Sequence, residues 1–317
     1  MRKIVSISLL LFVLIGAVFL AGCGDSGGAG GSGGSGGSGD SGGGNGSGKH
    51  YKAPAFKDSA FHENKAQGQG GVLLDLSQAS KGYVALSVES DSRIKFQICK
   101  GKDTYTYDVS SDGTPSILPL QLGNGTYTFK VMKNISGSKY TQEYTASEDV
   151  KVKNKFMPFL RPSDYSDYSR KSECVQKAKE IADKSETSMD VVSGIFDYIC
   201  DNVTYDKEKA ETVQSGYLPD PDETLSTGKG ICFDYASLAA AMLRSQGIPT
   251  KIVFGYVSPD GLYHAWNMFY TKETGWVTVD YEVEENSWNR IDTTFSSNGT
   301  DDEFIGDGSN YTDVYFY

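Results

Sequence analysis

No stretch of this chain limits its fold more than residues 228–249. Gly228-Lys229-Gly230 forms a glycine turn, and Ile231-Cys232-Phe233-Asp234-Tyr235 follows it. Ala236-Ser237-Leu238-Ala239-Ala240-Ala241-Met242-Leu243-Arg244 is then a strong helix by composition, stopped by Gly247 and Pro249. Three strand-like runs come next, at 251–257, 263–270 and 275–280, joined by hairpin-length links. A central helix followed by an antiparallel sheet is the expected result. Two more helices precede this block. In residues 172–183, Val175, Ala178, Ile181 and Ala182 recur at helical spacing. Thr187 and Asp190 have the spacing of a capping box ahead of Val191, Val192, Ile195, Phe196 and Ile199. Residues 206–230 read as polar loop.

The leader differs from everything after it. Of 37 glycines in the 317 residues, 17 fall within residues 1–48, so the rest of the chain has ordinary globular composition. Arg2 and Lys3 precede an apolar run at 4–20, and Leu20-Ala21-Gly22-Cys23 closes it. That run is at the lower limit for crossing a bilayer, and its tripartite layout is that of a cleavable signal. It resembles the bacterial lipoprotein signal. The resemblance implies removal of residues 1–22, lipidation of Cys23, and residence on the extracellular face of the cytoplasmic membrane. Residues 24–48 are glycine and serine apart from Asp25, Ala29, Asp40 and Asn45. Such a segment cannot bury enough apolar area to offset its ordering entropy. The expected form of 23–50 is a flexible tether spanning about 25–30 Å.

Length allows about two domains beyond the leader. The net charge of −11 and the lack of any Lys/Arg cluster exclude nucleic acid as the main partner. Residues 51–155 read as a β-sandwich module of about seven short strands. Ile94, Phe96 and Ile98 alternate on one face, Tyr127, Phe129 and Val131 do so on another, and Gly123-Asn124-Gly125 marks a turn. No nucleophile or metal-ligand spacing occurs there. Pro158 and Pro162 mark the boundary to a second domain at 160–317.

The second domain carries the chemistry. Cys232 begins a helix, where unpaired amides and the helix dipole favour a thiolate. His264 is the only histidine after residue 62, and it lies early in the second strand, 32 residues beyond Cys232. Asp280 ends the third strand, 16 residues further on. A thiol nucleophile needs a base that takes and returns a proton, and a carboxylate to fix that base's tautomer. The pieces Gly230-Ile231-Cys232, Gly247-Ile248-Pro249, His264-Ala265-Trp266 and Trp276-Val277-Thr278-Val279-Asp280 together resemble the transglutaminase-like superfamily.

That resemblance covers about 170–317. It implies a papain-like α+β fold with helices packed on an antiparallel sheet, with Cys232 as nucleophile, His264 as base and acid, and Asp280 as orienting carboxylate. Residues 51–153 also look like the β module that accompanies such domains in Gram-positive surface proteins. Tyr205 resembles an aromatic position upstream of the cysteine in the family. Tyr205 is a candidate oxyanion donor and Trp266 a candidate channel wall; each can equally be a core residue. The implied reaction is acyl transfer through a thioester on amide bonds of extracellular proteins or peptides, with water or an amine as acceptor. The alternative is a non-enzymatic surface-binding or scaffolding protein with a relic or structural triad. No cofactor is implied. The acidic runs at 220–223 and 301–303 lack the ligand spacing of a calcium loop, so no metal site is expected. Cys174 and Cys200 either bridge two successive helices or remain buried free thiols, and Cys99 stands apart.

Overall fold

A computed structural model describes residues 50–259, 261–273, 275–276, 282–283, 287–297 and 309–317. Residues His50–Tyr317 form one compact unit. It begins with seven antiparallel strands: β1 (Val72–Asp75), β2 (Tyr83–Val88), β3 (Ile94–Lys100), β4 (Asp103–Val109), β5 (Ser116–Pro119), β6 (Gly125–Ser136) and β7 (Lys139–Val150). They make a three-stranded sheet, β1-β2-β5, and a four-stranded sheet, β4-β3-β6-β7. The alternation read in the sequence sets which face is inside. Ile94, Phe96 and Ile98 of β3 and Tyr127, Phe129 and Val131 of β6 are buried, together with Leu74, Leu86 and Leu118 of the other sheet. Phe96 and Phe129 stack with centroids 6.0 Å apart. The turn before β6 has Gly123 in the left-handed region at φ 71°, and Asn124 Oδ1 accepts from Val152 N at 2.9 Å.

The sandwich core is closed by rings from the far end of the chain. Tyr317 packs against Tyr105 and Tyr107, with centroids 5.4 Å away in each case. Tyr165 lies 4.4 Å from Tyr317 and 5.2 Å from Phe233. An aromatic chain therefore runs from the sandwich to the residue next to Cys232. The expected boundary near 155–160 is crossed by packing, and for that reason the unit is single.

The rest comprises α1 (Glu173–Ala182), α2 (Ser188–Asn202), β8 (Thr204–Tyr205), α3 (Lys207–Thr212), α4 (Pro221–Thr227), β9 (Lys229–Gly230) and α5 (Cys232–Ser245). Then come β10 (Thr250–Val257), β11 (Leu262–Tyr270), β12 (Gly275–Trp276), β13 (Glu282–Val283), β14 (Trp288–Ile291), α6 (Thr293–Ser297) and β15 (Tyr311–Phe316). The capping box forms as expected: Asp190 N donates to Thr187 Oγ1 at 3.1 Å, and Thr187 N donates to Asp190 Oδ2 at 2.9 Å. The stretch read as polar loop contains two short helices. Asp220 Oδ1 accepts from Asp222 N at the start of α4. Asp222 itself accepts from Glu173 N and Cys174 N, capping α1. The acidic run at 220–223 is thus helix-capping chemistry.

Helix α5 is the centre of this half. From Asp234 to Ser245 every residue is buried. Its alanines let backbone approach backbone: Ala236 and Ala240 meet Ile252 of β10 and Ala265 of β11. Leu238, Met242 and Leu243 join Val191, Val192, Ile195 and Ile199 of α2. Arg244 is buried at the far end of α5. Its guanidinium donates to the carbonyls of Thr250 (2.8 Å), Arg161 (3.2 Å) and Tyr317 (3.0 Å). Behind α5 lies a four-stranded antiparallel sheet of order β14-β11-β10-β15. The fold class is α+β, as expected. On the side of β11 away from β10 lies β14, with Asn267 opposite Ile291 and Tyr270 opposite Trp288, and β12 pairs with β13. Of the run expected as a strand at 275–280, Gly275 and Trp276 form β12, and residues 277–280 lie outside the described residues.

Candidate active site

Cys232 is the first residue of α5, half-buried, with Ile231 as an extended N-cap at φ −94°, ψ 173°. The strand pair in front of it fixes the entry. β8 and β9 run parallel, with Tyr205 opposite Gly230, and Asp206 N donates to Gly230 O at 2.9 Å. Gly230 is required by a close approach: a Cβ there would lie 2.6 Å from Asp234 Cβ. Without a side chain at 230, Asp234 folds back so that Oδ2 accepts from Ile231 N at 2.8 Å. That bond occupies the N-cap amide, while the first-turn amides, including that of Cys232, have no intrahelical acceptor.

His264 lies near the leading end of β11 and is 3% exposed. Its Nε2 is 2.8 Å from Asp292 Oδ2, and the Cys232 thiol is near enough to act on the ring. With Nε2 on the carboxylate, Nδ1 is the nitrogen left for the thiol. The ring is stacked on Phe295 at 4.3 Å and 16°. Burial pulls the imidazolium down. The charge of Asp292, its hydrogen bond and the Cys232 contact outweigh burial and hold His264 up to about 10. His264 is therefore held as an imidazolium against Asp292.

The expected third residue, Asp280, lies outside the described residues. The carboxylate that meets His264 in the structure is Asp292, which follows β14, a strand paired with β11. Asp292 is 0% exposed and fully satisfied. Oδ1 accepts from Thr294 N and Phe295 N, both at 3.1 Å, which caps α6. Oδ2 accepts from Tyr311 Oη at 2.9 Å as well as meeting His264. The sequence did hold a signal: Ile291-Asp292-Thr293-Thr294 is a strand end followed by a helix cap.

The two accessory candidates separate. Tyr205 comes to the site. Burial first, and then the nearby Cys232, hold its phenol above its ordinary value, so its O–H remains a donor. Trp266 is 1% exposed and packs with Val253, Val257 and Tyr311, so it is core behind His264. A row of rings borders the nucleophile: Phe233 meets Phe254 at 4.9 Å and Tyr217 at 6.4 Å, and Tyr263 meets Tyr256 at 5.3 Å. Sequence reasoning missed Lys209 and Tyr217, which reach Asp234. Lys209 Nζ is 2.9 Å from Asp234 Oδ2, and Tyr217 Oη donates to Asp234 Oδ1.

The cysteines at 99, 174, 200 and 232 are all free. Burial pushes the Cys200 thiol up to about 12 and raises that of Cys174, which makes both inert at neutral pH. Among the described residues no three metal-ligating side chains cluster.

Residues 175–281 match the family model of the transglutaminase-like superfamily. Among curated proteins, a protein-glutamine gamma-glutamyltransferase of Pseudomonas aeruginosa is 37% identical over 76 residues, covering 20% of this chain and 11% of that protein. An uncharacterised protein of Mycobacterium leprae is 27% identical over 192 residues, covering 54% of this chain and 57% of its own length. The chain thus spans from about a tenth to little more than half of these relatives. Among solved structures, a putative cysteine protease from Cytophaga hutchinsonii aligns at TM-score 0.35 and 19% identity, over 73% of this chain and 80% of that one.

Proposed function

With residues 175–281 a transglutaminase-like domain, we propose that the chain is an exported, lipid-anchored thiol enzyme acting on amide bonds of extracellular proteins or peptides. The observation that carries this reading is His264, buried, 2.8 Å from the buried Asp292 carboxylate through Nε2 and close enough to Cys232 to be raised by it. A histidine kept only for packing has no need of a buried carboxylate on one nitrogen and a thiol at a helix start nearby.

The steps follow from the geometry. Cys232 thiolate attacks an amide carbonyl, and the developing oxyanion meets the Cys232 backbone N–H, with the Tyr205 hydroxyl as second donor. His264 gives its proton to the leaving nitrogen, and ammonia or an amine departs, leaving a thioester on Cys232. Water or a second amine then attacks the thioester, giving its proton to His264 and regenerating the thiolate. Asp292 holds the imidazole tautomer and stabilises its charge throughout. Hydrolysis and crosslinking use the same residues and differ only in acceptor. The relative from Pseudomonas aeruginosa, by its description a glutamyl transferase, favours glutamine amides as donors. At the N-terminus, lipid on Cys23 and the glycine-serine segment would tether the enzyme to the outer face of the membrane. Incubation with a glutamine-rich protein and a labelled primary amine, against Cys232→Ala, tests the reading. Incorporation supports a transferase and cleavage a protease; neither, in folded protein, overturns it.

A further inference from the structure

Asp234 is two residues beyond the nucleophile, in the first turn of α5, and 0% exposed. A buried carboxylate so close to a thiol opposes its ionisation, because like charges in a dry site repel strongly. The structure answers this charge from a different element. Lys209 of α3 places Nζ 2.9 Å from Asp234 Oδ2 and donates to Tyr217 Oη at 2.7 Å, and Tyr217 Oη donates to Oδ1. The ammonium also lies over the Tyr217 ring, 4.6 Å from its centroid. Asp206, the N-cap of α3, accepts from Lys209 N at 2.9 Å, and Asp206 N is tied to Gly230 O. The lysine is thus held by the same strand pair that sets the turn before Cys232.

The groups that register the thiol are His264 and Tyr263 from β11 and Tyr205 from β8, with Asp292 acting through His264; Asp234, two residues along α5, holds the amide just before Cys232. The two phenols are neutral, being held above their ordinary range by burial. Beside the nucleophile, two buried carboxylates are each met by a basic side chain: Asp292 by His264 at 2.8 Å and Asp234 by Lys209 at 2.9 Å. We propose that Lys209 and Asp234 are a compensating ion pair, positioning residues for Cys232 whose charge balance keeps the nucleophile available as thiolate. Asp234 ties down the N-cap amide and sets the helix start. Lys209 cancels the electrostatic cost of having a carboxylate there. This rests on Cys232 being the nucleophile.

The test is the pH dependence of Cys232 alkylation by iodoacetamide, read by site-resolved mass spectrometry on the folded full chain. Lys209→Met leaves Asp234 uncompensated and should move the midpoint up by about one pH unit. Asp234→Asn leaves Lys209 uncompensated and should move it down. The double variant should return towards the unaltered protein, and Lys209→Arg should not move it. If Lys209→Met does not fold, the downward shift in Asp234→Asn and the unmoved midpoint in Lys209→Arg carry the test. A purely structural role predicts losses of the same sign in both single variants, or no shift at all; either result overturns the proposal. If Cys232 of the unaltered protein alkylates no faster than a free cysteine, the nucleophile reading itself fails. A fast unaltered protein with unshifted variants sinks this proposal alone.

Discussion

Asp292→Asn isolates the carboxylate without changing its shape. An asparagine oxygen can still accept from Thr294 N and Phe295 N, so α6 keeps its cap. The other arm becomes an N–H2 facing His264 Nε2 and Tyr311 Oη in place of Oδ2. Nε2 must then accept, which puts the proton on Nδ1, towards the thiol, in the neutral ring. In that tautomer the ring cannot take the thiol proton. The energetic scale comes from His264 itself. Burial pulls it down, yet with Asp292 and Cys232 it stands at about 10 against an ordinary 6.5. Asp292's charge and hydrogen bond lead the effects that raise it, because burial alone acts in the opposite direction. The expected loss in the rate of amine incorporation near neutral pH is about 10²–10⁴-fold. Circular dichroism and thermal unfolding would show a folded variant. Asp280→Asn, measured alongside, should stay close to the unaltered rate. Equal activity in Asp292→Asn, or a collapse confined to Asp280→Asn, refutes the assignment of the orienting carboxylate.

Three further outcomes are expected. His264 has a folded-state value above its unfolded one, so its contribution to stability is fully present below 6.5 and is lost as pH rises through about 10. Urea midpoints should fall across that window more steeply in the unaltered protein than in His264→Gln, and equal slopes would contradict the ion pair. Gly230→Ala puts a Cβ 2.6 Å from Asp234 Cβ and should cost about 1–3 kcal/mol in chemical denaturation and slow Cys232 alkylation; an unchanged midpoint argues against the close approach. The mature protein isolated from membranes should have a mass that starts at Cys23 plus an acylated glyceride, and a mass starting at Cys23 without lipid would refute the anchor.

The parts of this molecule that the sequence revealed are those governed by local rules. Periodicity placed α1, α2 and the sandwich strands, the Thr187/Asp190 pair announced the start of α2, and glycine turns bracketed α5. Cys232 and His264 stand out in the sequence because a thiol at a helix start and a lone strand histidine are chemically conspicuous. Asp292 does not, because a carboxylate joins such a site through strand pairing. Residues 275–280 look as much like a strand as 288–291 do, and it is β14 that pairs with β11 on the side away from β10. Lys209 and Tyr217 were hidden for the same reason: they reach Asp234 from a segment whose short helices carry little periodic signal. The union of sandwich and helical half into one unit depends on Tyr105, Tyr107, Tyr165 and Tyr317 meeting from distant points in the chain, which no local pattern announces.

The catalytic reading turns on whether His264, held by Asp292, makes Cys232 more reactive than a free thiol. The direct measurement is the iodoacetamide alkylation rate of Cys232 at a pH roughly two units below the ordinary thiol value. The expected rate is at least about tenfold above that of a free cysteine, lost in His264→Ala. A rate equal to that of free cysteine, unchanged by His264→Ala in folded protein, would contradict it.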